Sequence, residues 1–175
     1  MKKLLLFVFA LCSLTCYAQK QKQFFYDGIE LRHVKGWTIV PAKDANATSI
    51  TCIRLPFQIH ILKQGVPQSF NAERLLQTSV EKIMEANMMA SGKNPKIKEV
   101  GSVMDGYVNS IPAKYIDLTY SKKVVQRIYM FTTHNQMFTI TCTGYGKMDA
   151  AMKILDFVLS TFTYNPESGP YSRLF

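Results

Sequence analysis

The side chains best suited to nucleophilic or metal chemistry are Cys52, Cys142, His33, His60 and His134. Cys142 and His134 are eight residues apart in a strand and its turn, which is roughly 27 Å of extended chain. This separation disfavours a Cys–His nucleophile pair between them. Cys52 could still meet one of the histidines in the folded chain. Because the three histidines are far apart in the sequence, a histidine metal site is not expected.

Local motifs add no chemistry to these residues. The sequence has no Gly-x-Ser-x-Gly elbow, phosphate-binding loop, Gly-x-Gly-x-x-Gly, His-Glu-x-x-His or Cys-x-x-Cys. Asp27, Glu30, Asp105 and Asp117 are spread over separate elements, so no paired carboxylates are expected. We therefore predict no catalytic, metal-binding or cofactor-binding residues, no cofactor, and a protein that is not an enzyme.

The first 18 residues have the features of a secretory signal peptide. Lys2 and Lys3 form a positive segment, and Leu4–Leu14 form an apolar segment too short for an ordinary membrane span. A small residue precedes the predicted cleavage between Ala18 and Gln19. The expected location is therefore the periplasm or the exterior.

A lipid anchor is the alternative form of export, because Cys12 and Cys16 lie in the same segment. The residues before them, Phe9-Ala10-Leu11 and Ser13-Leu14-Thr15, match a lipidation motif poorly. Ordinary secretion is the favoured hypothesis.

Two cysteines remain after this cleavage, Cys52 and Cys142, and each lies in an apolar stretch typical of a strand. An oxidising compartment would permit a disulfide between them. It would close a loop of roughly 90 residues and stabilise the fold by about 4–5 kcal/mol on the chain-entropy model. Two buried thiols that pack as small apolar groups are the equally simple alternative.

The chain is basic, with a formal charge of +9, which falls to +7 when Lys2 and Lys3 are removed. Nucleic acid is not an expected partner of an exported protein. The remaining positive charges are scattered, for example at Lys96 and Lys98 in a loop with Lys93, and at Lys122-Lys123 in a turn. We favour the interpretation that these charges keep the protein surface hydrated and the protein in solution. Weak contact with an anionic membrane surface or a glycan is the alternative.

The stretch Ile111–Thr143 predicts a three-stranded antiparallel meander. Side chains alternate between two faces over residues 115–120, and residues 124–133 are rich in β-branched and aromatic types. Asn135 suits the left-handed conformation of a tight hairpin. Residues 137–143 have one apolar and one threonine-rich face, so a helix or second layer has to cover the sheet.

Two amphipathic helices are predicted to provide this cover. The first follows Asn71, which can cap it, and closes at Ser91-Gly92, while Phe70 can pack on Leu75 as a hydrophobic staple. The second runs from about residue 148 to 162 and has a wide apolar stripe, which indicates deep burial. The apolar face of the first helix consists of Leu75, Leu76, Val80, Ile83, Met84 and Asn87.

The order of these elements resembles the PsbP-like superfamily, which includes the photosystem II subunit PsbP, DcrB-type periplasmic proteins and a Ran-binding, Mog-type branch. The resemblance covers most of residues 24–164 and lies in Gly28-Ile29-Glu30-Leu31, Gly36-Trp37, Pro112-Ala113-Lys114-Tyr115, Tyr129–Thr143 and Ile154–Phe162. It implies an α+β fold, with an antiparallel sheet of about six strands between two main helices in an α/β/α sandwich. It also implies one domain over residues 19–164 and a binding or assembly role rather than catalysis. No functional residue is carried over from the family.

The favoured function is a binding or assembly protein of the bacterial cell envelope, with an unknown envelope protein as partner. Residues 165–175 form an extended tail that could add to a partner's sheet through Tyr171, Arg173, Leu174 and Phe175, although an unanchored tail is preferred. The alternative is a carrier of a small apolar or amphipathic ligand, held between sheet and helix near the methionines of the first helix. A hydrolase built from side chains on different strands is the least favoured.

Overall fold

The computed structural model describes residues 21–34, 36–89, 96–168 and 173–174. The predicted cleavage point at Ala18 and Gln19 lies outside them. The elements in chain order are β1 (Gln21–Tyr26), β2 (Ile29–Val34), β3 (Thr38–Lys43), β4 (Ala47–Arg54), β5 (Phe57–Gly65), α1 (Ala72–Met89), β6 (Ile97–Val100), β7 (Met104–Val108), β8 (Ile111–Tyr120), β9 (Val124–Thr133), β10 (Gln136–Tyr145), α2 (Met148–Ser160), β11 (Thr163–Tyr164) and β12 (Arg173–Leu174).

The larger sheet has eight strands in the order β3-β4-β5-β10-β9-β8-β6, and β7 also pairs with β8. A second sheet has four strands in the order β11-β2-β1-β12. All the pairings are antiparallel. The expected count of about six strands was therefore wrong. Both β6 and β7 pair with β8, and each covers one half of it. The first hairpin, β1 with β2, belongs to the separate four-stranded sheet.

The predicted meander is confirmed as β8, β9 and β10. Ile116 pairs with Ile128, and Ile140 with Tyr129, so the three strands are in continuous antiparallel register. His134 and Asn135 form the β9–β10 turn with φ of 48° and 57°. These are the left-handed angles that a two-residue hairpin loop requires.

The two helices cover opposite faces of the larger sheet, because successive side chains of a strand point to opposite sides. Leu76 and Val80 of α1 pack with Ile128 and Met130 of β9. The helix α2 packs on the other face with Tyr129 and Phe131 and with the small sheet, and its buried residues are Ala151, Met152, Leu155, Val158 and Leu159. The α/β/α arrangement is thus present, with the small sheet added to the α2 side.

The predicted start of α1 is confirmed, since Asn71 Oδ1 accepts the Arg74 N–H at 3.0 Å. Phe70 and Leu75 both pack against the α1 core. Met84 is 41% exposed, so the apolar face predicted for this helix was wrong at that position. The helix lies over β8 and β9.

Candidate binding groove

In the described part of the chain, the outer edge of β7 is the longest sheet edge without a feature that opposes the addition of a further strand. In those residues β7 pairs with β8 alone. The opposite edge strand, β3, contains Pro41, which has no N–H to offer a further strand. In the small sheet the edge strands β11 and β12 have two residues each. Among the described residues, the N–H and C=O groups on the outer side of β7 therefore have no strand partner.

A groove of about 420 Å³ lies between α1 and residues 100–103, which end β6 and lead into β7. Its floor is apolar, formed by Val80 and Ile116, and Val103 contributes from the segment before β7. Glu73 and Glu81 are exposed on the helix side and make the rim acidic. We call this cavity the edge groove.

A second cavity, of about 330 Å³, lies at the start of α1 beside the same strand. Its lining includes Phe70, Pro112 and Met130. Lys114 donates a hydrogen bond to Asp105 at 2.7 Å, and this bond raises the pKa of Lys114. Because the Asp105 side chain is 85% exposed, the pair stays open to water.

Exposed apolar side chains occur on both β6 and β7. Val100 and Tyr107 are 37% and 69% exposed and lie on the α1 face of the sheet, whereas Met104, 50% exposed, is in register with Tyr115 and lies on the opposite face. Met84 of α1 is also exposed. Apolar contact area, a cavity and unpaired backbone groups therefore occur together, which is the combination that binds an extended peptide.

A partly buried ionic cluster, which we call the Asp27 cluster, lies at another end of the larger sheet. Asp27, in the β1–β2 turn, accepts hydrogen bonds from Lys43 at 2.7 Å, from Lys63 and from Thr48. Lys63 also donates to the main-chain oxygen of Asp27 at 2.7 Å and lies 5.2 Å from the centre of the Tyr164 ring. Burial alone would raise the pKa of Asp27, but these bonds outweigh it and lower the pKa to about 2.

The Asp27 cluster holds the small sheet onto the larger one. The Asp27 and Lys63 side chains are 13% and 11% exposed. A cleft of about 180 Å³ opens beside them. Since the Asp27 carboxylate already binds both lysines, we interpret the cluster as structural. The sequence had no local signal for it, because its residues come from four elements.

Cys52 and Cys142 are buried free thiols. Both are in register with Ile59, one on each side of β5. Two strand spacings, about 9.6 Å, then separate their Cα atoms, whereas a disulfide needs about 4.4–6.8 Å. The disulfide that the sequence allowed is therefore not made in this fold. Burial raises the pKa of Cys52 to about 12 and raises that of Cys142 as well, so neither is a ready nucleophile.

The histidines do not join the cysteines. His60 is in register with Thr51 and Thr141, which places it on the opposite face of the sheet from Cys52 and Cys142. Desolvation lowers the pKa of His60. His134 lies in the β9–β10 turn, 5.8 Å from the Tyr164 ring.

His33 belongs to β2. Over the described ranges, no group of three or more histidine, cysteine or acidic side chains could hold a metal ion.

Two residues of the tail pair with the chain itself. Arg173 pairs with Phe25, and Leu174 with Phe24, so β12 extends the small sheet. The preferred expectation of an unanchored tail was wrong for these two residues. Tyr171 and Phe175 lie outside the described residues, and a partner-binding role for the tail stays a prediction.

Membrane insertion through a helix has no candidate in the described chain, where neither α1 nor α2 is both long and apolar enough to span a bilayer.

The topology and layers define a PsbP-like fold. No family model matches the sequence, and no curated protein matches it. The chain is similar to cyanobacterial PsbP (CyanoP) from Synechocystis sp. PCC 6803, with a TM-score of 0.60 at 14% identity over 83% of this chain and 93% of that chain. The resemblance predicted from the sequence is confirmed at the level of the fold.

Two further solved structures are similar at lower scores. A protein from Bacteroides thetaiotaomicron VPI-5482 gives a TM-score of 0.49 at 14% identity over 87% of this chain, which spans 51% of that chain. LpqN, involved in cell envelope biogenesis of Mycobacterium tuberculosis, gives 0.44 at 16% identity over 82% of this chain and 91% of that chain.

Proposed function

We propose that this protein is an exported, non-catalytic binding module that holds an extended segment of an envelope protein along β7. This proposal rests on the outer edge of β7, which has no strand partner among the described residues and begins where the edge groove ends, after Val103. A bound segment would form a further antiparallel or parallel strand through main-chain hydrogen bonds. Its side chains on one face would then enter the groove.

The lining of the groove supports a particular chemistry for the segment. Val80 and Ile116 in the floor favour an apolar side chain, and about 420 Å³ is enough for one or two such groups. Glu73 and Glu81 on the rim favour lysine or arginine at neighbouring positions. We therefore expect the partner to offer an extended segment in which apolar and basic residues alternate.

The ligand-carrier hypothesis has less support than this one. It needs an enclosed space between α1 and the sheet. In the described part of that interface the space is filled by packed side chains, and Leu76 and Leu118 have no exposed surface. The cavities beside α1 are open grooves at the surface.

Export is the part of the proposal that rests on the first 18 residues. Signal cleavage is expected to give a chain that begins at Gln19 with unmodified cysteines. N-terminal sequencing and intact mass measurement of the protein from its host would test this expectation. A chain that begins at Cys16 and carries acyl groups would replace secretion with a lipid anchor.

The edge groove is tested with a double variant, Val100→Lys with Tyr107→Lys, in the chain Gln19–Phe175. Both positions are exposed, so the free energy of unfolding should change by no more than about 0.5 kcal/mol. Added lysines on an edge oppose strand addition. We expect the wild-type chain to retain a protein from detergent-solubilised envelope, and the double variant to retain at least about tenfold less.

The matched control is Ile154→Lys, a similar change at a residue of α2 that is 44% exposed and lies outside the groove. Retention should be unchanged. A peptide from the captured protein should also slow hydrogen exchange of β7 amides. The proposal would be contradicted if the double variant and the control lost retention of the envelope protein equally. It would also be contradicted if a bound peptide left the hydrogen exchange of β7 amides unaltered.

A further inference from the structure

The end of the larger sheet at the β4–β5 turn brings several strand ends into one row. Gln58 pairs with Thr143, and Gly144 pairs with Val125. The β4–β5 turn, the end of β10 and the start of β9 therefore lie side by side.

Two main-chain hydrogen bonds extend this row to the sheet edge. The Gly146 N–H donates to the carbonyl of Lys123 at 2.7 Å, and the Ser121 N–H donates to the carbonyl of Lys96 at 2.6 Å. From β4 to β6 the row spans five strand spacings, or roughly 24 Å. We call it the basic rim, and it consists of Arg54–Phe57, Lys96, Ser121–Lys123 and Tyr145–Lys147.

The basic rim carries five exposed cationic side chains, which are Arg54, Lys96, Lys122, Lys123 and Lys147. None of its own residues is acidic, and Asp149 in the first turn of α2 is a nearby acid. In the sequence these charges are up to 93 residues apart, between Arg54 and Lys147, which is why they looked scattered. Folding collects them on one end of the sheet.

Apolar side chains protrude from the same rim. Leu55, at the tip of the β4–β5 turn, is 86% exposed, the highest value of any large apolar residue described. Tyr145, at the end of β10, is 55% exposed. A protruding leucine and a tyrosine among lysines suit the interfacial zone of a bilayer, where apolar groups enter the acyl boundary and cations meet phosphates.

We propose that the basic rim binds the surface of an anionic phospholipid bilayer and that Leu55 enters its interface. A bilayer fits better than a single soluble anion, because the cations are exposed and spread over roughly 24 Å rather than gathered in a pocket. The proposal is independent of the edge groove. It would hold the exported protein against the membrane while leaving β7 accessible.

The test is co-sedimentation of the chain Gln19–Phe175 with vesicles of phosphatidylcholine that contain 30% phosphatidylglycerol. Binding is expected to weaken steeply with added salt. Arg54→Gln, Lys123→Gln and Lys147→Gln together should lower the partition coefficient at least about 30-fold, since each cation near such a surface contributes about fivefold. Leu55→Ser alone should lower it about tenfold, because one leucine side chain is no longer buried.

The matched control removes three exposed cations elsewhere, by Arg74→Gln, Lys82→Gln and Lys153→Gln. It has the same net charge as the rim variant and should bind within about twofold of the wild type. Thermal melts of all the variants would establish that each is folded. Three results would overturn the proposal. They are an equal loss of vesicle binding in both triple variants, equal binding of the wild type to vesicles of pure phosphatidylcholine, and release from the vesicles by millimolar inorganic phosphate at constant ionic strength.

Discussion

Replacement of Asp27 by asparagine is expected to lower the free energy of unfolding by about 2–4 kcal/mol. The change leaves Lys63, whose side chain is 11% exposed, without its carboxylate. Removal of one partner from a buried ion pair costs several kcal/mol because the other charge stays desolvated. Thr48, 1% exposed, also loses its charged acceptor. Urea unfolding at pH 7 measures the effect.

The same carboxylate makes stability depend on pH in the acid range. The pKa of Asp27 is about 2 in the folded chain and 3.8 as the ordinary value. As the pH falls below about 5, the unfolded chain binds the proton first, so stability is lost progressively down to about pH 2. The difference corresponds to about 2.5 kcal/mol for this group. Asp27→Asn should lose less stability than the wild type over this interval.

Asp105→Asn is the matched control for both measurements. Asp105 also forms an ion pair with a lysine, but its side chain is 85% exposed. Exposed pairs contribute about 0–1 kcal/mol. If both variants were destabilised equally, or if the acid branch of the pH profile were the same in Asp27→Asn and wild type, the Asp27 cluster would not be the connection between the two sheets.

Sequence reasoning succeeded where the signal is local. The meander from β8 to β10 and the cap at Asn71 follow from period-two alternation and from one capping residue. The predicted count of about six strands was wrong, because β6 has four residues and pairs with one half of β8. Short edge strands carry too little alternation to be counted from a pattern.

The sites depend on neighbours that the sequence does not show. The Asp27 cluster needs a hairpin turn to lie beside three strands of another sheet, and the basic rim needs Arg54 to lie in a row with Lys147. The edge groove needs the position of α1 relative to residues 100–103 and to β8. Each of these is a long-range pairing, for which residue spacing alone gives no indication.

Substitution of Gly28 by alanine is the second large expected effect, a loss of about 3 kcal/mol of unfolding free energy. Gly28 has φ of +83°, where a side chain costs about 1–2 kcal/mol. A Cβ atom there would also lie 2.7 Å from the main-chain oxygen of Asn165 and 2.7 Å from Tyr164 Cε2. Relief of this clash has to move the segment after α2, since the Asn165 N–H donates to the Gly28 carbonyl at 2.8 Å.

The variant Gly146→Ala separates the cost of the positive φ from the cost of the steric contact. Gly146 has φ of +108°, and a Cβ atom there would meet nothing within 4 Å, so this variant reports backbone strain alone. The excess loss in Gly28→Ala over Gly146→Ala then measures the steric contact, for which about 1–3 kcal/mol is expected. A zero excess would mean that residues 164–165 move away at no cost. In that case the packing of the last segment onto the first hairpin would contribute little to the stability of the small sheet.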